Sequence, residues 1–188
     1  ERIAVVANGI DAAFRPLPPE QVAAWRAARG LPERFVLAVG PLQPRKNLGA
    51  LLEAYAAVRA QAPEVGLVIA GGRGWLYEDF FGRLRASGLE PHVTLTGYVP
   101  DEDLPALLNC AEVFAYPSVF EGFGLPPLEA MACGLPVVCS DASSLPEVVG
   151  AAGVLLPPGD PRAWAEALAR VLAEPAWRAE LSARGLAR

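Results

Sequence analysis

The segment Glu121-Gly122-Phe123-Gly124-Leu125-Pro126-Pro127-Leu128-Glu129 stands between two short apolar runs, Val113-Phe114-Ala115-Tyr116 and Val137-Val138-Cys139. Apolar runs this short read as buried strands, and the residues between them suffice for a turn and one helix. Gly122 and Gly124 let the backbone come close to a ligand, because glycine accepts φ values that a side chain forbids. The proline pair suits a first helical turn, where a missing N–H costs nothing. Glu121 then precedes a nest of backbone N–H groups, and Glu129 lies in the first turn of the helix that follows. Amides at a helix start hold phosphates and carboxylates accept from hydroxyls, a combination suited to a sugar nucleotide. The plain alternative is a surface loop with two solvated glutamates. The joint placement of Gly, Pro and Glu argues against it more strongly than any single match could.

The same alternation runs outward in both directions. Phe35–Val39, Leu67–Ala70, Val93–Leu95 and Val154–Leu156 are further strand candidates. Leu48, Leu51, Leu52, Tyr55 and Val58 share one helical face. Trp75–Ala86, Leu104–Cys110 and the stretch from about Trp177 also read as helices. Ser144-Leu145-Pro146-Glu147 has the spacing of a capping box, and Asp160-Pro161 that of an N-cap with Pro at the first helical position. Repeated βα units predict an α/β fold, a Rossmann-like parallel sheet flanked by helices. Residues 1–16 differ. Ile3–Val6 reads as a strand, Asn8-Gly9 as a tight turn, and Pro16 to Pro19 as a stiff connector.

Bulk properties narrow the function. With 188 residues, 53% of them hydrophobic, the chain can bury the core of one domain. A net charge of −5 with no basic run argues against a nucleic-acid or anionic-membrane surface. No apolar run is long enough for a membrane helix, and no signal-like segment is present. Cys110, Cys133 and Cys139 lack metal or redox spacing and read as reduced, buried thiols of a cytoplasmic protein. His92 is the single histidine, so neither a His-rich metal centre nor a Cys–His nucleophile is expected. The first residue is Glu and the single methionine is Met131, so the sequence reads as a piece of something longer.

Taken together, Glu121 to Glu129, Asn8-Gly9-Ile10-Asp11, Gly40-Pro41-Leu42-Gln43-Pro44-Arg45-Lys46-Asn47, Gly71-Gly72-Arg73-Gly74-Trp75 and Ser143-Ser144-Leu145-Pro146-Glu147 resemble the retaining family-4 glycosyltransferases of GT-B architecture. The resemblance covers nearly the whole chain and implies the C-terminal, donor-binding half. It divides the sequence into an interdomain linker region (1–16), a nucleotide-sugar domain (17–174) and the start of a C-terminal helix (175–188), with an acceptor domain preceding. It implies that Arg45 and Lys46 stabilise a departing diphosphate and that Glu121 lies against the sugar. Glu129 would anchor the ribose, the N–H groups of Phe123, Gly124 and Leu125 the distal phosphate, and Tyr98 and Val99 the base.

The residues themselves carry part of this. Gly40 ends a strand, and in an open α/β sheet ligands bind beyond the carboxyl ends of strands. Arg45 offers a planar fork and Lys46 a point charge for phosphate oxygens. Lys46 is also the only lysine among sixteen basic residues. A solvated basic pair there would oppose the helix dipole. Asp101-Glu102-Asp103 invites a metal reading but sits at a helix start, where carboxylates cap free N–H groups. No metal or cofactor is expected, which agrees with the resemblance. By resemblance and not by their chemistry, Arg73, Trp75 and the Pro-Arg-Lys-Asn form at 44–47 are similar to the mannosyltransferase-like subgroup, which implies GDP-mannose as donor and an acceptor sugar or lipid-linked sugar as partner. The implied reaction transfers a hexosyl unit to an acceptor hydroxyl with retention, the leaving phosphate taking the proton. A UDP-sugar transferase, a sugar-nucleotide epimerase and a non-catalytic scaffold domain stand as rivals. A glycoside hydrolase would not need the Arg–Lys pair.

Overall fold

The computed structural model describes Ala4, Val6 and residues 8–188. Six strands, β1 (Phe35–Val39), β2 (Gly66–Ala70), β3 (Val93–Gly97), β4 (Val113–Tyr116), β5 (Val137–Ser140) and β6 (Val154–Leu156), form one sheet in the order β3-β2-β1-β4-β5-β6. All of its strand pairings are parallel. Each expected strand within residues 35–156 is present, with ends shifted by at most two residues. The expected Ile3–Val6 strand falls largely outside the described residues.

β1, β2 and β4 are apolar throughout because both faces of the sheet are covered there, whereas the edge strand β3 carries Thr94 and Thr96 and is only partly buried. Val36, Ala38, Leu67, Ile69, Val113 and Ala115 point to one side. There they meet α2 (Leu48–Gln61), α3 (Glu78–Ser87) and α7 (Pro161–Ala173) through Leu51, Tyr55, Phe80 and Trp164. Phe35, Leu37, Val68, Phe114, Tyr116 and Cys139 point to the other. Their partners are α4 (Leu104–Cys110), α5 (Leu125–Ala132) and α6 (Leu145–Val149), through Leu107, Leu108, Met131 and Leu145. Successive residues of a strand thus serve opposite cores, as a period of two demands. The final helix, α8 (Pro175–Ala187), packs against α5 and α7.

Several local expectations need correction. The helix expected at Trp75 begins only at Glu78, because Leu76 takes a left-handed φ of 54° that no helix accommodates. The Pro16–Pro19 connector runs into an unforeseen helix, α1 (Pro19–Ala28), with Pro19 in its first turn. That helix buries none of its residues fully, so it lacks the apolar stripe that would have marked it in the sequence. Ser144 does not cap α6; its hydroxyl is engaged elsewhere. Asp160 does cap α7, accepting from Ala163 N at 3.1 Å. Asp103 opens α4 without capping it, because its carboxylate bonds the Arg29 guanidinium at 3.0 Å. All three cysteines are buried and unpaired, and burial pushes their thiols up to about 11 (Cys110) and about 12 (Cys133 and Cys139).

The strand order reverses direction between β1 and β4, and a crevice opens there beyond their carboxyl ends. Its walls approach closely. Gly71 has φ 154°, and a Cβ on it would lie 2.0 Å from the Gly40 carbonyl oxygen. Gly71→Ala should therefore lose roughly 3 kcal/mol of stability, from backbone strain plus overpacking. Gly72→Ala, which meets nothing within 4 Å, should leave the urea midpoint unchanged.

Candidate functional site

Two loops meet at this crevice. After β1 the chain turns at Gly40 and makes a short 3-10 turn at Pro44–Lys46. After β4 it runs through Pro117 to Glu121 and on to α5. The amide of Val119 donates to the Arg45 carbonyl at 2.9 Å, which fixes the loops to each other. Lys46 is 6% exposed, so the solvated basic pair considered from the sequence is not what forms. Its ammonium donates to Glu121 Oε1 at 2.7 Å and to the Tyr116 hydroxyl at 2.7 Å, and lies 4.6 Å from the centre of the Tyr116 ring. Arg45 Nη1 takes the other carboxylate oxygen, Glu121 Oε2, at 2.8 Å. To reach Glu121 the lysine passes over Gly40, where a Cβ would sit 2.8 Å from Lys46 Cε. This, together with a φ of 140°, is why a glycine ends β1.

The charges in this cluster depend on one another. Burial displaces the Lys46 ammonium below its ordinary value, and the Glu121 carboxylate opposes that shift. Burial alone would raise the Glu121 carboxyl, but its bonds to Lys46 and Arg45 outweigh that and hold it below 4.5. Burial also raises the Tyr116 hydroxyl, keeping it a neutral acceptor. An ammonium has three donors. Lys46 spends two of them on Glu121 and Tyr116, which leaves one for a ligand.

Gly124 initiates α5 with φ 116°, and a Cβ there would sit 2.7 Å from Leu145. The N–H groups of Phe123, Gly124 and Leu125 have no acceptor among the described residues. Glu129 lies in the second turn of α5, not the first, because Leu125 is already helical. Its carboxylate is half-buried with no hydrogen-bond partner among the described residues, and burial, with the Asp101 charge, raises it above 4.5. It faces a hollow of ≈ 390 Å³ shared with Asp11, Phe14 and Asp101. Asp101 also lines a neighbouring cleft of ≈ 400 Å³ beyond β1, β2 and β3. That cleft holds Gly40, Gly71, Arg73, Tyr98 and Val99. Tyr98 is 73% exposed and Arg73 lies 5.3 Å from the Tyr77 ring, so the cleft wall on this side is aromatic and cationic.

Gly40, Tyr98 and Val99 thus line the cleft, Glu129 lines the hollow that shares Asp101 with it, and Lys46 passes over Gly40 to Glu121, while Trp75 lines neither hollow. Three contributors were given another role or none. Tyr116 read as a core strand residue, and the signal for it was a polar ring at the carboxyl end of a strand. Ser144 read as a helix cap and Ser143 as part of the same motif without a role, yet Ser143 accepts from the Glu121 amide at 2.9 Å and Ser144 donates to the Phe123 carbonyl at 2.6 Å.

This arrangement can be set beside known proteins. The family model described as glycosyl transferases group 1 matches residues 22–188. The chain belongs to the group 1 glycosyltransferases. Among its relatives, the O-antigen chain mannosyltransferase B of Escherichia coli is 44% identical over 154 residues, 81% of this chain and 40% of that protein. The D-inositol 3-phosphate glycosyltransferase of Salinispora arenicola is 39% identical over 197 residues, 96% of this chain and 44% of its own. The chain therefore spans less than half the length of these relatives. Of solved structures, Anabaena Alr3699/HepE in complex with UDP-glucose superposes with a TM-score of 0.84 at 26% identity, over 98% of this chain and 51% of that one. Such neighbours are GT-B glycosyltransferases, and the six-stranded sheet is one half of that architecture. No helix among the described residues is long and apolar enough to cross a membrane.

In this glycosyltransferase domain Glu121→Ala leaves the Lys46 ammonium buried without its carboxylate. Such a loss costs roughly 3 kcal/mol. The double change Glu121→Leu with Lys46→Met should cost less than the single one, as read by urea unfolding. Because Glu121 is held below 4.5, the wild-type contribution is whole above that pH. It drains away as acidification passes the lower folded value, a slope that Glu121→Ala should abolish.

Proposed function

We propose that this domain binds GDP-mannose and serves transfer of the mannosyl unit, with retention, to an acceptor hydroxyl. The observation that carries the reading is the buried Lys46–Glu121–Arg45 cluster set beside unpaired amides at the sheet's switch point. Negative charge grows on the diphosphate as the glycosidic C–O bond breaks. Arg45 and the free Lys46 donor stabilise it, and their geometry is already in place before substrate arrives. The same two cations supply the charge a divalent ion would otherwise bring, so catalysis on this reading is metal-independent. The amides of Phe123, Gly124 and Leu125 hold the distal phosphate, and Glu129 accepts from the ribose hydroxyls. Glu121 orients both cations through its oxygens, and their remaining lone pairs can accept from the sugar. No protein nucleophile stands in this cluster, and the departing phosphate takes the acceptor proton. Acceptor recognition belongs to residues beyond these in a longer enzyme, so the domain by itself binds donor without transferring it.

The base assignment rests on Asp101. Guanine presents N1–H and an exocyclic amine along one edge, a pair that one carboxylate accepts bidentately. Uracil offers a single N–H. The relative at 44% identity is a mannosyltransferase, which supports the mannosyl part of the reading. The neighbour at 26% identity was solved with UDP-glucose, which keeps a UDP-sugar as the second reading.

Calorimetric titration of GDP, UDP and ADP, with and without magnesium, decides between them. GDP should bind best and without magnesium. Asp101→Asn should weaken GDP roughly tenfold or more while sparing UDP. Equal binding of UDP and GDP, unmoved by Asp101→Asn, would remove the guanine assignment. Glu129→Gln should weaken every nucleotide while raising Tm by a few degrees, since it removes an unpartnered half-buried charge.

A further inference from the structure

The segment joining β5 to α6 contains Ser143-Ser144, a motif that none of the roles above uses. In the fold it lies against the loop that carries Glu121. Ser143, in the left-handed region at φ 51°, presents its Oγ to the Glu121 amide at 2.9 Å. Ser144 Oγ lies 3.0 Å from the Glu121 carbonyl and 2.6 Å from the Phe123 carbonyl. Deeper in the same crevice the Ser140 hydroxyl donates to the Ser118 carbonyl. One strand end therefore holds the neighbouring loop through three successive hydroxyls.

The consequence lies in the peptide planes. A trans peptide is flat, and its N–H points opposite to its C=O. The Phe123 carbonyl and the Gly124 N–H belong to one peptide, so a hydroxyl that draws the carbonyl toward α6 turns the Gly124 N–H the other way. The Glu121 carbonyl, 3.0 Å from the same hydroxyl, shares that one proton more weakly, and the Gly122 N–H lies on the opposite side of its peptide. Both amides are without acceptors among the described residues. Gly124 cannot carry a side chain here, because of its φ and of Leu145, so the peptide has no Cβ to hold its orientation.

We infer that Ser144 is a positioning residue that sets the direction of the amides binding the distal phosphate of the donor. It touches no reacting atom and acts through the Phe123–Gly124 peptide. The inference rests on the donor-site reading above and deepens it, since it makes discrimination between nucleoside diphosphate and monophosphate a property of one hydroxyl.

The test compares GDP with GMP by calorimetry on wild type, Ser144→Ala, Ser144→Thr and Ser144→Val, with Tm recorded for each. Wild type and Ser144→Thr should prefer GDP. Ser144→Ala should lower the GDP/GMP affinity ratio on the order of tenfold, the worth of one charge-assisted hydrogen bond, and leave GMP within about twofold. Ser144→Val, with the shape of threonine and no hydroxyl, should repeat the alanine result and separates lost bonding from lost packing. In wild type the Gly124 amide resonance should shift with GDP and not with GMP. A ratio unchanged in both Ser144→Ala and Ser144→Val, or lowered equally by Ser144→Thr, overturns the inference while the donor site stands. Wild type that binds neither nucleotide overturns the donor reading and this inference with it.

Discussion

One buried ammonium organises the carboxyl edge of this sheet. Lys46 lies almost out of solvent, and a charge taken out of water is tolerated only with an opposite charge and hydrogen bonds around it. Glu121 supplies the charge and Tyr116 the second acceptor. The demand reaches further. A side chain at Gly40 would block the lysine's path. The two loops that satisfy Lys46 are those of the two strands between which the sheet reverses direction. Topology opens the crevice, and the ion pair then closes its floor.

That floor is assembled with no ligand present. Glu121 holds Arg45 and Lys46 side by side, so two cations that would repel each other are kept at one place by a shared carboxylate. A diphosphate arriving there meets charge and donors that need little rearrangement, which is what electrostatic preorganisation requires. Glu129 shows the opposite economy. It is half-buried, unpartnered and displaced upward, a destabilised group in an otherwise well-paired domain. Groups of that kind mark function more often than architecture.

Much of this was legible in the residues. The central strands β1, β2 and β4 showed themselves because they are buried on both faces and so are apolar without interruption. α2 showed itself through Leu51 and Tyr55, and α7 through the Asp160 cap. α1 did not, because Val22 and Trp25 only lean on the core and leave no periodic stripe. Ser144 and Asp103 were misread for a common reason. Both stand at helix starts, where Ser and Asp ordinarily cap, but each had a tertiary partner: a carbonyl of the Glu121 loop for one, Arg29 for the other. Local propensity yields to such contacts. Arg45, Lys46, Glu121 and Glu129 could be picked out, yet not the fact that Lys46 is buried on Tyr116. That depends on a strand pairing no short window contains.

The place where a diphosphate binds is decisive. A crystal structure of this chain with GDP would show it directly. The distal phosphate should lie against the Gly124 and Leu125 amides, within reach of Arg45 and the unspent donor of Lys46, with the ribose on Glu129. A diphosphate bound elsewhere, such as the groove of Asn109, Arg178 and Ser182 at the amino-terminal side, with the Lys46–Glu121 edge empty, would contradict it.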